Sequence, residues 1–503
     1  MKLSEVLAGC GAEQTAGGRA AGEVTGVTAD SRQVKEGDLF VALPGLRNDG
    51  AEFIGEAVSR GAVAVVAQRP APSQVPFFTV GNARQALALI AANFYGKPAE
   101  ELTLLGVTGT NGKTTVSYLL EAMAAAGGAS TGLLGSIQYK FAGRSIEPKH
   151  TTPDPLTLHR TLREMVDAGI DTVIMEVSSH ALAQERVHGL TYRAAGFTNL
   201  SRDHLDYHKD LEAYFQAKRK LFTDHLSGGG VAVINGDDTQ SVRIYNELRG
   251  QKRMAWKFSR EGAGEVSATD VQYTLDGIKA TLKTPAGDVP VKSKLLGAHN
   301  LENIMCAAGM ALGAGFSRRD VQDGIERVTR VPGRMERVEA GATPVLVDYA
   351  HTDDALRRSL EAARSLARGR VFVVFGCGGE RDKGKRALMG QVAGELADVS
   401  VVTSDNPRSE DPEAIISEVT AGLEKAGVRR MSAAKAKSGE RGFLVEADRR
   451  SAISAAMQLA TPEDVVLIAG KGHETHQQVG DELLAFDDRL VAEEIARAAR
   501  PTA

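Results

Sequence analysis

The chain has 503 residues, 43% of them hydrophobic and 25% charged, and a formal net charge of −4. A single hydrophobic core does not grow to this length, so the sequence predicts two to four domains of an ordinary globular protein. The small net charge gives no reason to expect nucleic acid or an anionic membrane as a partner, and any basic site for an acidic substrate must be local.

Cysteine usage and hydropathy indicate the compartment. The three cysteines, Cys10, Cys306 and Cys377, are odd in number and far apart, which predicts a reducing compartment with neither a disulfide framework nor a zinc site. The first residues contain no apolar core of a signal peptide, and no run of 18 apolar residues occurs. We therefore expect a cytoplasmic protein.

The first hundred residues contain short apolar runs separated by turn residues, as expected for strands. These runs are Leu39–Leu43, Ala62–Ala67 and Phe77–Val80. A helical pattern over Ala83–Phe94 then leads to Lys97-Pro98, and the residue before a proline is a common element boundary. We therefore predict a first domain over residues 1–99.

A glycine-rich segment follows the next apolar run. Residues 106–115 read Gly-Val-Thr-Gly-Thr-Asn-Gly-Lys-Thr-Thr and precede a helix-like stretch, Val116–Ala126. This arrangement predicts a nucleoside triphosphate site, in which backbone N–H groups close on the phosphates, Lys113 reaches the outer phosphates and the Thr114 hydroxyl can hold Mg²⁺. One glycine lies a residue earlier than in the usual pattern, which argues against the commonest kinases and GTPases.

Strand-like and helical segments alternate up to about residue 331, which predicts a mostly parallel sheet covered by helices on both faces. The candidate strands are Leu102–Val107, Thr172–Val177, Ala194–Asn199 and Val231–Asn235. A polar stretch at 251–294 alternates as strands do and predicts an antiparallel extension of the sheet. The second predicted domain covers residues 100–331.

Residues 330–334, Arg-Val-Pro-Gly-Arg, interrupt the pattern again, and we predict a third domain over residues 332–503. Its candidate strands are Pro344–Val347, Arg370–Phe375, Ser400–Thr403 and Asp464–Ala469. Each is followed by a polar or glycine-rich loop, at 348–353, 376–385, 404–412 and 470–474. Ligands bind at the carboxyl ends of strands in open α/β sheets, so these are candidate binding loops in a three-domain α/β protein.

Two segments of the second domain carry side chains suited to metal and phosphate chemistry. Glu176 ends a candidate strand, where a carboxylate can hold Mg²⁺, although a capping or ion-paired glutamate is an equal alternative. Residues 199–208, Asn-Leu-Ser-Arg-Asp-His-Leu-Asp-Tyr-His, place two histidines and two aspartates within six positions after another strand. This density favours a functional role over a structural one.

Together these motifs resemble those of the Mur ligase family, in order along the whole chain. Beside the glycine-rich loop, the resemblance rests on Glu176-Val177-Ser178-Ser179-His180, Ser201-Arg202-Asp203-His204-Leu205-Asp206, Gly297-Ala298-His299-Asn300-Leu301-Glu302-Asn303 and Asp348-Tyr349-Ala350-His351-Thr352. Near the start of the chain, two further segments resemble the uridine-nucleotide-binding domain of the member that adds the third amino acid: Asp30-Ser31-Arg32 and Gly37-Asp38-Leu39-Phe40-Val41-Ala42.

The resemblance implies a fold and a reaction. The implied fold is an N-terminal uridine-nucleotide-binding α/β domain, a central P-loop ATPase-like domain with a mostly parallel sheet, and a C-terminal Rossmann-like α/β domain. Family members form amide bonds in peptidoglycan precursor assembly: ATP phosphorylates a peptide carboxylate, an amine attacks the acyl phosphate, and phosphate leaves. The implied acceptor is UDP-N-acetylmuramoyl-L-alanyl-D-glutamate.

Roles around ATP and Mg²⁺ are implied by position in the family motifs. The implied ATP-binding residues are Gly109, Thr110, Asn111, Gly112, Lys113, Thr114, Thr115, Asn300, Arg334 and Asp348. The implied catalytic residues are Lys113, Glu176, His204 and Lys218, and the implied Mg²⁺ ligands are Thr114, Glu176, His204 and Lys218. Lys218 stands where the family carries a carbamylated lysine, N6-carboxylysine; without that context, a solvated helix lysine is the simpler interpretation.

The resemblance also implies how the nucleotide-linked peptide is bound. The implied contacts are Ser31, Thr151, Thr152, Ser178, Gln184 and Arg186. Hydroxyl, amide and guanidinium donors suit a ligand rich in carbonyl and carboxylate groups. Leu46-Arg47-Asn48 stands where a family loop touches the uridine nucleotide, although these residues differ from those of some relatives.

The segment Asp405-Asn406-Pro407-Arg408 indicates which amino acid is added. meso-Diaminopimelate differs from lysine by one distal carboxylate, for which arginine supplies a bidentate donor. The resemblance implies that diaminopimelate is bound by Arg381, Asp405, Asn406, Pro407, Arg408, Gly470 and Glu474. Taken alone, the segment is better explained as a proline turn with a surface arginine.

Three alternatives stay open at this point. The first is a lysine-adding ligase of the same family, and the second is a folylpolyglutamate-type or other Mur-type ligase. The third is a nucleotide-dependent switch without ligase activity, in which phosphate release would not depend on any amino acid. The resemblance further implies a monomer that acts on small molecules, with no nucleic-acid or membrane partner.

Overall fold

The computed structural model describes residues 1–18, 23–45, 49–262 and 264–498, which build three successive α/β units, each around its own sheet. The strands of the N-terminal unit are β1 (Glu13–Ala16), β2 (Gly26–Thr28), β3 (Asp38–Val41), β4 (Ala64–Ala67) and β5 (Phe77–Thr79). Its helices are α1 (Leu3–Val6), α2 (Ile54–Ser59) and α3 (Ala83–Phe94). Strand order is β1-β5-β4-β3-β2, and only the β1–β5 pair among these strands is antiparallel.

Both faces of the N-terminal sheet are buried, because its central strands are apolar throughout and successive side chains of a strand point to opposite faces. In β3, Leu39 and Val41 pack in one core with Ile90 of α3. Phe40 points to the opposite face and packs with Ile54 at the start of α2. The predicted apolar runs therefore correspond to the strands β3, β4 and β5, and the predicted helix Ala83–Phe94 coincides with α3.

The central unit is the largest. Its strands are β6 (Thr103–Thr108), β7 (Thr131–Leu134), β8 (Tyr139–Phe141), β9 (Arg144–Ile146), β10 (Thr172–Glu176), β11 (Tyr192–Phe197), β12 (Leu226–Asn235), β13 (Ala255–Ser259), β14 (Val266–Thr274), β15 (Gly277–Lys283) and β16 (Val289–Ser293). Its helices are α4 (Lys113–Ala126), α5 (Pro155–Asp167), α6 (Ser179–Ala183), α7 (Leu205–His208), α8 (Leu211–Thr223), α9 (Thr239–Gly250), α10 (Ala298–Ala314) and α11 (Arg318–Arg327).

The central sheet has the order β16-β15-β14-β13-β12-β11-β6-β10-β7-β8-β9. It is parallel from β14 to β7, with antiparallel strands at both ends, as predicted for the extension at 251–294. Strand β6 lies between β10 and β11, and its Leu104 and Leu105 enter cores on opposite faces. The carboxyl ends of β6, β10 and β11 therefore meet at one edge of the sheet.

The C-terminal unit is built on a second, mostly parallel sheet. Its strands are β17 (Glu336–Val338), β18 (Val345–Asp348), β19 (Val371–Phe375), β20 (Val399–Val402), β21 (Gly442–Val445) and β22 (Val465–Ala469), followed by a hairpin of β23 (His476–Val479) and β24 (Glu482–Ala485). Its helices are α12 (Asp353–Leu366), α13 (Gly384–Leu396), α14 (Pro412–Lys425), α15 (Ala433–Lys437), α16 (Arg449–Leu459) and α17 (Asp488–Ala498). Strand order is β17-β18-β22-β19-β20-β21, with β17 antiparallel to β18.

The three-unit α/β fold class is confirmed. The four strands predicted for the C-terminal unit are neighbours in its sheet, so the loops that follow them share one edge. The sequence analysis did not identify β21 or the hairpin, because both are short and lack a long apolar run. The domain boundaries at residues 99 and 331 stay predictions. No helix in the described ranges is long and apolar enough to span a membrane.

Candidate active site

The glycine-rich loop joins β6 to α4 with a tightly packed backbone. Gly109 has φ 145° and Gly112 has φ 88°, conformations that favour glycine. A Cβ on Gly109 would lie 1.8 Å from Thr198 Oγ1, and one on Gly112 would lie 2.3 Å from Asn303 Oδ1. Lys113 Nζ donates to the carbonyls of Gly109 and Thr110, each at 2.9 Å, so the loop is closed around its own lysine.

Gly109→Ala is expected to weaken nucleotide binding by about 5- to 150-fold, the equivalent of the 1–3 kcal/mol that such backbone strain costs. The added methyl group would displace Thr198 and open the loop. Calorimetric titration with ADP and Mg²⁺ measures the effect. Gly229→Ala serves as the control, because Gly229 is exposed and a Cβ there meets no atom within 4 Å.

Glu176 at the end of β10 is held beside the start of α4. Its Oε2 accepts from Thr114 Oγ1 at 3.2 Å, and Arg334 Nη2 donates to the same hydroxyl at 3.1 Å. Ser136, just after β7, donates to Glu176 through its amide at 3.0 Å and its hydroxyl at 2.9 Å. Ser136 was not among the predicted site residues, and its one sequence signal is its place just after the apolar segment that forms β7, which lies beside β10 in the fold.

Lys218 lies on α8 beneath the glycine-rich loop and is 1% exposed. Its Nζ donates to Gly109 O at 2.7 Å and lies 4.4 Å from the centroid of the Tyr214 ring. Burial lowers the pKa of the Lys218 ammonium well below its ordinary value, and the charge of Lys113 lowers that pKa further. The surroundings therefore favour a neutral amine at this position.

His204 immediately precedes α7 and has a left-handed conformation, with φ 54°. Its ring centroid lies 4.8 Å from that of His180, and its Nε2 lies 3.5 Å from Asp203 Oδ2. Desolvation lowers the pKa of His204 to about 4, although Asp203 opposes this shift. His204 is therefore a neutral imidazole at pH 7, the form that can donate a lone pair to a metal. His180 was not among the predicted site residues.

Asn300 and Asp348 approach the loop from α10 and β18, but their polar atoms already have protein partners. Asn300 Nδ2 donates to Leu296 O at 2.7 Å. Asp348 accepts from the amides of Met335 and Ala350 at 2.7 and 3.0 Å. Burial raises the pKa of Asp348. These contacts make Asp348 an organiser of the turn that carries Arg334.

A cavity of about 710 Å³ lies between the central and C-terminal units. Sixteen predicted site residues line it: Thr110, Asn111, Gly112, Lys113, Thr114, Thr115, Thr151, Glu176, Ser178, Arg186, His204, Asn300, Arg334, Asp348, Arg381 and Glu474. The lining also includes residues that were not predicted, among them Ser136, His180, Asp203, Tyr349, His351 and His473. The fold therefore brings most of the predicted ATP and metal residues to one space with Arg381 and Glu474, whereas Lys218, Asp405, Asn406, Pro407, Arg408 and Gly470 do not line it.

A second cavity, of about 1150 Å³, lies between the N-terminal and central units. Arg186, Lys149 and His150 line both cavities. Arg186 Nη1 donates to Thr152 O at 2.8 Å, and its Nε donates to Gln184 Oε1 at 3.0 Å. The two cavities thus meet at a fixed guanidinium group.

Only some of the residues predicted for uridine-nucleotide binding line the second cavity. Asp30 and Arg32 line it, but Ser31 is 7% exposed and its hydroxyl donates to Glu56 Oε2 at 2.7 Å. The Ser31 side chain therefore faces α2 in this structure. Leu46-Arg47-Asn48 lies outside the described residues.

The predicted amino-acid residues surround the loops after β20 and β22. Asn406 Nδ2 donates to Glu474 Oε2 at 2.9 Å, and the buried Lys471 donates to both side chains, at 3.1 and 3.0 Å. A Cβ on Gly470 would lie only 2.5 Å from Asp405 Oδ2. Sequence analysis did not select Lys471, although it stands between Gly470 and Glu474 in the predicted loop.

Arg408 projects from the same loop with a left-handed backbone, φ 52°. Its Nη1 donates to Gly379 O at 2.6 Å, and its backbone pairs with the hairpin through Gln478 O and Gly480 N, at 3.2 and 2.8 Å. Arg381 lies on the neighbouring loop and is exposed. The structure thus brings both predicted arginines to one side of the C-terminal sheet.

Three family models match this chain in succession. The model described as "Mur ligase family, catalytic domain" matches residues 23–95, "Mur ligase middle domain" matches residues 107–311, and "Mur ligase, glutamate ligase domain" matches residues 333–472.

Known proteins resemble the chain over nearly its full length. The UDP-N-acetylmuramoyl-L-alanyl-D-glutamate–2,6-diaminopimelate ligase of Geobacter metallireducens is 46% identical over 496 residues, which cover 96% of each chain. A solved structure of a ligase with the same name is 33% identical, with a TM-score of 0.68 and 94% of each chain covered. The MurF ligase of Thermotoga maritima, solved with ADP, shares the fold at 20% identity and a TM-score of 0.59, covering 94% of this chain and 96% of that one. The chain therefore belongs to the Mur ligase family of ATP-dependent, amide-bond-forming ligases.

Proposed function

We propose that this enzyme adds meso-2,6-diaminopimelate to UDP-N-acetylmuramoyl-L-alanyl-D-glutamate, with hydrolysis of ATP to ADP and phosphate, in peptidoglycan precursor synthesis. The observation that carries this proposal is the meeting of the two cavities at Arg186. A nucleotide-linked peptide bound in the second cavity can extend its free carboxylate past Arg186 toward the glycine-rich loop. The named activity of the relatives supports the same substrate.

The first step transfers the terminal phosphoryl group of ATP to the peptide carboxylate. A new bond forms between carboxylate oxygen and phosphorus, the bond to the ADP oxygen breaks, and ADP leaves with its electron pair. Lys113 and Arg334 supply positive charge near the phosphates, and the loop amides orient them. Phosphoryl transfer depends mainly on such positioning and charge neutralisation.

The second step joins the amino acid. The amine of diaminopimelate attacks the acyl carbon, and the tetrahedral intermediate expels inorganic phosphate and loses a proton to form the amide. Arg186 can hold a carboxylate of the peptide while Glu474 and Arg408 orient the incoming amino acid. Because the acyl phosphate hydrolyses in water, its position in a cleft between two units limits its contact with solvent.

The residues near the loop fit a magnesium ion. Among the described residues, no group of three or more His, Cys, Asp or Glu side chains could hold a metal by itself. Thr114 and Glu176 nevertheless offer two oxygen donors 3.2 Å apart, and Mg²⁺ is commonly held by one or two side chains together with substrate phosphates. Bound Mg²⁺ would supply charge neutralisation for the phosphoryl group.

We further propose that Lys218 carries a carbamate and, with His204, completes a second Mg²⁺ site. Carbon dioxide adds only to a neutral amine, and the Lys218 surroundings favour that form. The reaction forms a bond between Nζ and carbon and releases one proton, which converts a lysine into an anionic oxygen ligand. The position of Lys218 under the loop carbonyl of Gly109 supports this role.

The remaining assignments are part of the same proposal. We place the domain boundaries at residues 99 and 331, with uridine-nucleotide, ATP and amino-acid binding in successive domains. We propose a monomer that works in the cytoplasm on small molecules, without nucleic-acid or membrane partners.

Phosphate release with ATP, Mg²⁺ and UDP-N-acetylmuramoyl-L-alanyl-D-glutamate tests the function, with meso-diaminopimelate and L-lysine compared as the added amine. We expect release to depend on diaminopimelate and mass spectrometry to detect the tripeptide product. Release driven by lysine would assign the lysine-adding activity instead. Release that ignores every amino acid would contradict ligase activity and favour a nucleotide switch.

A further inference from the structure

We propose that Arg386 is a positioning residue for the amino-acid site, which acts through Glu410 to hold the loops that carry Arg381 and Arg408. This inference rests on the proposed function, since it concerns how the distal carboxylate of diaminopimelate is recognised. Arg386 itself is expected to touch no substrate.

Arg386 is a buried cation at the base of two binding loops. It lies in the first turn of α13, is 1% exposed, and its Nη2 donates to both carboxylate oxygens of Glu410, each at 3.0 Å. Its Nη1 donates to Glu418 on α14 at 3.2 Å, and Nη2 also lies 3.4 Å from Gly378 O. Removing a guanidinium from water is unfavourable unless charged partners replace the lost hydration. Glu410 and Glu418 supply those partners.

Glu410 joins the Arg408 loop to the Arg381 loop. It follows Arg408 by two residues, and its carboxylate accepts the backbone amide of Glu380, the residue before Arg381. This amide and Arg386 lower the pKa of Glu410 to about 2, so the carboxylate is charged at pH 7. Arg386 therefore neutralises the group that connects the two loops.

Direct contacts also link the two loops, among them the Ser409 hydroxyl, which donates to Glu380 Oε1, and Lys383 Nζ, which lies 3.3 Å from Glu410 Oε2. The Arg381 loop passes so close to its neighbour that a Cβ on Gly379 would lie 1.9 Å from Pro407 O. Gly379 N donates to Asn406 O at 2.9 Å, and Arg408 Nη1 donates to Gly379 O. The two loops meet through backbone atoms and Arg408 holds a left-handed conformation, so we expect a shift of Glu410 to move the Arg408 side chain.

This arrangement predicts a selective defect. A displaced Arg408 weakens the contact with a distal carboxylate, which diaminopimelate has and lysine lacks. The glycine-rich loop and Glu176 lie in the central unit and do not contact Arg386. Loss of the Arg386–Glu410 pair should therefore raise the KM for diaminopimelate while the kcat and the KM for ATP stay near their original values.

Steady-state kinetics of Glu410→Gln and Arg386→Met test the inference in the full-length enzyme. We expect the KM for diaminopimelate to rise about 10- to 100-fold, with kcat changed less than about threefold and the KM for ATP within about twofold. The ratio of kcat/KM for diaminopimelate to that for lysine should fall by about tenfold or more. Arg386→Lys should show a smaller rise in the KM for diaminopimelate than Arg386→Met, since lysine keeps the positive charge but cannot donate two parallel hydrogen bonds to Glu410.

Glu418→Gln is the matched control, because Glu418 contacts the same guanidinium but neither loop. It should leave the KM for diaminopimelate within about threefold of the original value. If Arg386→Met does not fold, Glu410→Gln decides, since the Glu410 side chain is 21% exposed and the substitution preserves its shape.

Several results would overturn the inference. One is an unchanged KM for diaminopimelate in both variants, and another is a fall in kcat with equal changes for all substrates, which indicates general damage to the fold. Failure of the proposed function is distinguishable, because the unmodified enzyme would then show no diaminopimelate-dependent phosphate release.

Discussion

Lys218→Ala is expected to lower diaminopimelate-dependent phosphate release by about 10²- to 10³-fold, the range found when one preorganised electrostatic contact is lost from an active site. Alanine removes the amine that carries the proposed carbamate and leaves a gap beneath Gly109. Acetate, a small carboxylate that can enter this gap, should restore part of the activity. The KM for diaminopimelate should change little, because Lys218 lies under the glycine-rich loop and not in the C-terminal unit.

Lys220→Ala is the control for this substitution. Lys220 lies on the same helix, α8, but is half-buried and pairs with Glu185 at 2.6 Å. It should keep nearly full activity. Full activity of Lys218→Ala, or acetate rescue of equal size in both variants, would contradict the carbamate. Mass spectrometry of the enzyme without substitutions, kept under carbon dioxide, provides an independent measurement, since the carbamate adds the mass of one CO₂ to Lys218.

Arg408→Ala is expected to raise the KM for diaminopimelate by about 30-fold to several thousand-fold, which corresponds to the 2–5 kcal/mol lost when a buried charge pair is broken. The distal carboxylate of the substrate would enter the site without its bidentate partner. Turnover of lysine, which has no such carboxylate, should not fall. Initial rates with each amino acid, at saturating ATP and nucleotide-linked peptide, measure both effects.

Arg429→Ala provides the matched control, because Arg429 is an exposed arginine of the same unit. An unchanged KM for diaminopimelate in Arg408→Ala would refute the assignment of this side chain. Arg408→Lys should give an intermediate value, because an ammonium group attracts the carboxylate but cannot form the fork of two parallel hydrogen bonds.

Much of the site could be predicted because its chemistry is local in the chain. The strand, glycine turn and helix around residues 106–115 form one continuous segment, so spacing alone indicates phosphate binding. Glu176 could be placed at the end of a strand because it ends a continuous apolar run, whereas the pairing of β10 with β6 is a finding of the structure. The C-terminal strands were predictable for the same reason, since strands buried on both faces have unbroken apolar stretches.

Residues that act through distant partners could not be predicted in the same way. Ser136 contacts Glu176 across 40 positions, and its segment carries no distinctive pattern. Arg386 stands just after the predicted loop 376–385 and carries no distinctive pattern, whereas its burial and its contact with Glu410 depend on the fold. Ser31 shows the opposite case: its motif predicted a ligand contact, but the folded backbone turns its hydroxyl toward Glu56.

Periodicity and short motifs depend on neighbouring residues, so the three α/β units, the glycine-rich loop and the resemblance to one ligase family are visible in the amino-acid order alone. The meeting of two cavities at Arg186 and the place of Arg386 beneath both arginine loops appear only in the folded chain. These features depend on which side chains from distant parts of the chain become buried together. Burial of this kind is set by the packing of the whole chain and leaves no local pattern in the sequence.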